Sequence, residues 1–276
     1  MNYKSFISLA LLLAFGTITG QISFIKPLLL PQLLTSQHSQ KLHEERTGIH
    51  QTALAEIKKE FNIADDTWKR YMDHIYTVVQ KDDLFDTTVL VMQNDSNHWL
   101  IQEAKKVLIE CGVNLARIEI KLDTDPKKNG AADQWYEDAT GRIKHTLILN
   151  PDWFAMHSLD EREAVLRHEI MHLAHYDGIE EGYICGLIAK VMGYTQEQID
   201  ASPAIVNYRK QRELRADLMG VVDKPLLVQS EYNRFSNYAK FTSSFPENFW
   251  KTHPDNKTRA ESMAQLFGFI NQPALA

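Results

Sequence analysis

The sequence predicts an α+β fold that is mainly helical, with one small sheet packed over a helix in the second half of the chain. Three observations carry this prediction. Apolar residues recur at three- or four-residue steps between residues 36 and 79, which is the helical period. Short β-branched or alternating runs are confined to residues 87–149. After residue 158 the chain carries a succession of helix start and stop signals.

Residues 1–34 stand apart from the rest. Lys4 precedes the apolar run Phe6 to Phe15, and the small, polar stretch Gly16 to Gly20 follows. This is the layout of a secretory signal peptide. The alternative is an uncleaved anchor, because Phe6 to Ile25 has the length of a spanning helix and is bracketed by Lys4 and Lys26. Both readings predict export: a periplasmic or secreted protein, or one held at a membrane and facing away from the cytoplasm. Residues 35–276 then form a single domain, with a helical first part at 35–85.

Within that part, Leu42, Ile49, Ala53, Ile57 and Phe61 mark a helix over 36–61. A second helix follows Asp65 through Trp68, Tyr71, Met72, Ile75 and Val79, and Asp82-Asp83 stops it. Thr87 to Met92 reads as a strand. His98 to Cys111 reads as a helix that Gly112 ends. Arg117 to Leu122 alternates apolar and polar residues, the strand period. Lys127 to Gly130 reads as a loop. Gln134–Glu137 and Ile143–Leu149 flank Asp138-Ala139-Thr140-Gly141 as a hairpin. Ser158 with Glu161 forms a capping box that starts a helix reaching Tyr176, stopped by Asp177-Gly178. Gly182 to Met192 reads as a buried helix too short to span a bilayer. Ser202 and Pro203 start a helix that reaches Met219, and a last helix covers Lys257 to Phe269. Trp135, Trp153 and Trp250 are assigned to the core.

The 276 residues are 44% hydrophobic and 24% charged, enough apolar material for a sizeable core. With a net charge of −6 and no basic run interleaved with aromatics, nucleic acid is excluded as a partner. The two cysteines, Cys111 and Cys185, make neither a disulfide framework nor a C-x-x-C metal motif, and read as buried thiols.

The chemistry is concentrated in His168-Glu169-Ile170-Met171-His172. Histidines four apart share one helix face and can both reach one zinc ion, with the intervening glutamate as general base toward a water that zinc activates. The hairpin just upstream can set an edge strand beside the metal, a cradle for an extended peptide by strand addition. A catalytic zinc takes three protein ligands and keeps a position open. Glu213, in Arg212-Glu213-Leu214-Arg215-Ala216-Asp217, is the candidate third ligand. Asp217, one turn further on, can accept a hydrogen bond from the outer nitrogen of a ligand histidine. The competing reading is a charged surface helix with Arg209, Arg212 and Arg215 as the ion-pair partners. In Thr252-His253-Pro254, the proline-fixed approach to a helix can hold His253 near a developing oxyanion; equally, this is only a loop leading into that helix. His175, three residues after His172 on the same helix, cannot join both other histidines around one ion, and is assigned to a cleft rim or to solvent.

Taken in order, His168 to Asp177, Arg212 to Asp217 and Thr252 to Arg259 resemble the M48 zinc metallopeptidases over roughly Ile143 to Phe269. The resemblance implies a gluzincin-like fold and one zinc per chain held by His168, His172 and Glu213. It implies Glu169 as catalytic base, Asp217 as support for the ligands, His253 near the active site and Arg259 fixing that segment. It further implies a protein or peptide substrate. A zinc-stabilised, non-catalytic binding or chaperone-like protein of the cell envelope is the alternative, with the helix over 36–61 as its partner-binding element or, in an active enzyme, as a cover that keeps the cleft latent. A non-proteolytic metallohydrolase fits the ligands but leaves the edge strand without a use. Glu169 favours catalysis, since a structural zinc site has no use for a general base.

Overall fold

The computed structural model describes residues 36–85, 97–125, 130–137, 139–240 and 252–271. Residues 1–34, the predicted strand Thr87–Met92, residues 127–129 and Trp250 lie outside them. Two helices open the described chain, α1 (Gln37–Glu60) and α2 (Asp65–Val79). Ser36 caps α1 by accepting from Ser39 N at 3.0 Å, which satisfies one of the amides a helix start leaves unpaired. The apolar period buries Ala53, Leu54 and Ile57 from α1 against Trp68, Met72 and Ile75 from α2. Full burial of a leucine, isoleucine or methionine side chain contributes about 1.5–3 kcal/mol. Helix α3 (Trp99–Glu110) follows. Gly112 ends it at φ 75°, a left-handed conformation that glycine adopts without strain.

Strands β1 (Ile118–Leu122), β2 (Gly130–Glu137) and β3 (Arg142–Leu149) form one sheet in the order β1-β3-β2. The first two strands flank β3, β1 parallel to it and β2 antiparallel, with Gly130 opposite Leu149 and Glu137 opposite Arg142. Strand β2 starts four residues earlier than its sequence suggests. Gly130-Ala131-Ala132-Asp133 has little strand propensity, and pairing with β3 overrides it. Trp135 is 42% exposed on this edge strand, not in the core, and Trp153 is partly buried.

The helices that follow are α4 (Pro151–Ala155), α5 (Leu159–Ala174), α6 (Asp177–Met192), α7 (Gln196–Asp200), α8 (Pro203–Val221), α9 (Pro225–Tyr238) and α10 (Asn256–Ile270). The Ser158–Glu161 capping box starts α5 as predicted. Its end differs from the prediction. Tyr176 takes a left-handed conformation at φ 55°, and Asp177 begins α6 instead of stopping α5. Tyr176 donates to Asp82 Oδ2 at 2.9 Å, and His145 Nε2 donates to the same oxygen at 2.8 Å, so buried contacts hold the corner. Helix α6 therefore starts five residues before Gly182, and it is buried on one face only, through Ile179, Ile184, Leu187 and Ile188. Helices α4, α7 and α9 are additions to the predicted set.

Two apolar clusters result. One joins α3, the sheet, α5, α8, α9 and α10 around Leu108, Leu147, Leu166, Ile170 and Met263; the other joins α1, α2, α6 and α8 around Ile57, Ile75, Ile188 and Tyr208. Cys111 is buried, Cys185 half-buried, and both are free thiols. No helix among the described residues is long and apolar enough to cross a membrane.

Candidate metal centre

Helices α5 and α8 pack directly on one another. A β-carbon on Gly220 of α8 would lie 3.2 Å from the backbone of Arg167 and of His168, so glycine is what permits this approach. Across the contact stand His168 and His172 from α5 and Glu213 from α8. Their ligand atoms all lie within 4.8 Å of one another. The two Nε2 atoms are 3.0 Å apart. Glu213 Oε2 is 3.3 Å from His168 Nε2, and Oε1 is 3.5 Å from His172 Nε2.

Each imidazole is oriented from behind. His168 Nδ1 donates to Asp217 Oδ1 at 2.9 Å, and His172 Nδ1 donates to Asp177 Oδ2 at 2.7 Å. In neutral rings, both Nε2 lone pairs then face each other across 3.0 Å, an arrangement that calls for a cation between them. Two further features match a metal. Burial opposes charge on both rings, yet Asp217 and Glu213 raise His168 to about 10, and Glu213 and Asp177 raise His172 to about 9. Glu213 Oε2 is buried and accepts no well-formed hydrogen bond among the described residues. Two nitrogens and a carboxylate oxygen form the donor set of a zinc site, and these residues fit that ion.

The supporting carboxylates are themselves held. Arg259 grips Asp217 in a two-pronged pair, with Nε 2.7 Å from Oδ2 and its second nitrogen on Oδ1, and its guanidinium stacks 4.1 Å from the Phe235 ring centroid. Arg215 pairs with Asp177 Oδ1, and Arg212 donates to the Asp177 carbonyl at 3.1 Å. Burial pushes both carboxyls up, but the arginines and histidines around them prevail and hold Asp177 and Asp217 ionised well below the usual carboxylate range. The arginines of α8 thus pair with α6, through Asp177 and Glu181, rather than with Glu213 and Asp217.

Glu169 is buried one residue from His168, and Gly130 at the start of β2 faces it: a β-carbon there would lie 3.5 Å from Glu169 Cγ. His253 is also brought in, its Nε2 3.3 Å from Glu213 Oε2 and its Nδ1 2.7 Å from Thr252 Oγ1. His175 is not at a rim. Its Nδ1 donates to Met171 O at 2.8 Å and its ring stacks on His43 of α1. That helix packs against α8 and α6, with Asn207 on Glu56 and Glu180 on His50.

The sequence reading missed Asp177 as a support for His172. Five residues after His172, it would stand off that ring's face on a continuous helix, and it reaches the ring only through the left-handed turn at Tyr176. Phe235 and Asp82 carried no functional signal, and Arg215 read as an ion-pair former without its partner, because their partners are distant in the chain.

The family model for peptidase family M48 matches residues 96–266, well over half the chain. No curated protein matches the chain, and no solved structure does. That match spans the helix of the two histidines, the sheet edge facing Glu169 and the helix carrying Glu213, and by it the chain belongs to peptidase family M48.

Proposed function

We propose that the chain is a zinc-dependent endopeptidase that hydrolyses peptide bonds of protein substrates, with one zinc held by His168, His172 and Glu213. The observation that carries this reading is the convergence of these three donors beside Glu169, with each imidazole backed by a carboxylate. Zinc in such a site supplies a Lewis acid that lowers the pKa of water and polarises a carbonyl. Glu169 takes the proton of the attacking water and returns it to the leaving amine, a role worth about 10²–10⁴ in rate. Asp217 and Asp177 hold both imidazoles with Nδ1 protonated, so Nε2 remains a donor to metal. His253, whose burial keeps it below its usual pKa, is neutral at pH 7 and can donate one hydrogen bond to a developing oxyanion. The edge strand β2 offers its backbone to an extended substrate.

Glu169 favours this reading over a zinc-stabilised binding protein, and α1, with Ala53, Leu54 and Ile57 buried in the core, is a poor candidate for a detachable partner-binding helix. The proposed location outside the cytoplasm, or at a membrane facing away from it, rests on residues 1–34 of the sequence. The test compares the chain with Glu169→Gln for bound zinc and for cleavage of casein. Equal zinc, with cleavage only by the unsubstituted chain, is the expected result. Equal zinc with equal cleavage rules out the assigned base.

A further inference from the structure

A groove of about 390 Å³ runs between β2 and α6, away from the metal ligands. Trp135 and Tyr136 of β2 line it together with Tyr71 of α2 and Tyr183 of α6, and Gly182 and Gly186 add bare positions on α6. Lys190 is the one formally charged residue in the lining, so the groove is mixed apolar and polar with little charge.

Three glycines, at 178, 182 and 186, share one face of α6 at four-residue spacing. Packing accounts for the first: a β-carbon on Gly178 would lie 3.1 Å from Gln134 O. It accounts for neither of the others, since a β-carbon on Gly182 or Gly186 would meet nothing within 4 Å, and neither has a positive φ. Glycine in a helix interior costs about 1 kcal/mol against alanine. Folding therefore gains nothing from leaving these positions bare, whereas an incoming side chain does.

Two observations on β2 point the same way. Trp135 leaves 42% of its surface exposed beside the groove. Gln134, only 6% exposed, also lines it; its amide donates to Leu173 O and His145 Nδ1 at 3.0 Å each, while its Oε1 has no donor among the described residues. The same strand leads to the metal centre. Gly130 faces Glu169, and Trp135 is five residues on, about 17 Å away at roughly 3.3 Å per residue.

Resting on the peptidase reading, we propose that this groove is an extended subsite for an aromatic side chain of the substrate polypeptide, which lies along β2 with that residue four to six positions from the bond cleaved. The span follows from the strand itself, because a substrate paired with β2 advances at nearly the same rise per residue. Aromatic rings suit the four aromatic walls, where offset or edge-on contact adds to the area buried.

The test uses the full zinc-loaded chain and peptides built around a bond it cuts in casein, identical except for one tryptophan walked along both sides of that bond. Against serine at the same position, kcat/KM is expected to rise about ten-fold, mainly through KM, when tryptophan stands four to six residues away on one side; that ratio corresponds to about 1.4 kcal/mol. In Gly182→Leu, whose new side chain fills the groove and whose helix propensity is higher than that of glycine, the ratio is expected to fall to near one. Trp135→Ala is expected to reduce it. A flat profile, or a ratio unchanged by Gly182→Leu, overturns the subsite and leaves the peptidase reading standing. If no peptide is cleaved, the peptidase reading fails separately, and fluorescence anisotropy of the same peptides on the Glu169→Gln chain decides the groove. A tryptophan preference that Gly182→Leu removes supports it; no preference overturns it.

Discussion

At the scale of single residues, the two carboxylates behind the imidazoles carry more than their hydrogen bonds. Asp217 orients His168 and neutralises Arg259; Asp177 orients His172 and neutralises Arg215. Asp177→Asn and Asp217→Asn keep the shape of the side chain but remove its charge. Each is expected to lower zinc affinity about 10–100-fold in a competitive chelator titration. Each also leaves a buried arginine without a counter-charge, so the urea midpoint should fall by the equivalent of about 3 kcal/mol. A variant that loses zinc affinity at unchanged stability would show that the arginine is satisfied elsewhere.

At the scale of elements, one contact bears on the site and another on stability. The first is the approach of α8 to α5 at Gly220. In Gly220→Ala the added methyl meets backbone atoms of Arg167 and His168 at 3.2 Å, and backbone cannot swing aside as a side-chain tip can. Overpacking of this kind costs about 1–3 kcal/mol, less the small helix-propensity gain, and it falls on His168 itself. Reduced thermal stability together with weaker zinc binding is expected; a loss of stability alone would place the strain elsewhere. The second contact is that of α1 with α5, where His43 stacks on His175. Burial first, and Arg215 next, lower the pKa of both rings. The folded state therefore binds fewer protons than the unfolded chain. The stability these neutral rings contribute is full above the unfolded value of 6.5 and is lost as pH falls below it toward their folded values. His43→Leu removes one of the two groups. Its stability should fall less between pH 8 and pH 5 than that of the unsubstituted chain, and parallel profiles would exclude the stack as the cause.

At the scale of the whole molecule, zinc held by the three proposed donors would link binding to folding, because they come from two helices that are far apart in the chain. At 100 times its dissociation constant, zinc should stabilise the fold by about 2.7 kcal/mol, and a chelator should lower the melting temperature accordingly. Zinc must also displace protons from His168 and His172, whose pKa values stand at about 10 and about 9 without it. Binding at pH 7 should release protons, measured as a dependence of calorimetric heat on buffer, and apparent affinity should fall with pH. Heat independent of buffer would contradict the raised values.

Local order was legible in the sequence wherever neighbours in the chain decide the outcome. The helix over 36–61, the capping box at Ser158, the stop at Gly112 and the two histidines one turn apart each depend on residues within four positions of one another. The end of α5 was not legible, because Asp82 and Tyr176, far apart in sequence, set the corner that turns Asp177 back onto His172. Strand β2 gained its first four residues from β3 and not from its own composition. Trp135 was assigned to the core for its type, whereas its place on an edge strand exposes it. By itself the sequence marked His168, Glu169 and His172 as the candidate residues and determined that one helix presents both histidines together, since helical spacing is a local property. Only the tertiary structure decided that Glu213 meets them, that each ring has its own carboxylate, and that β2 runs from Glu169 to an open aromatic groove, because these contacts join segments whose separation in the chain carries no record of their distance in space.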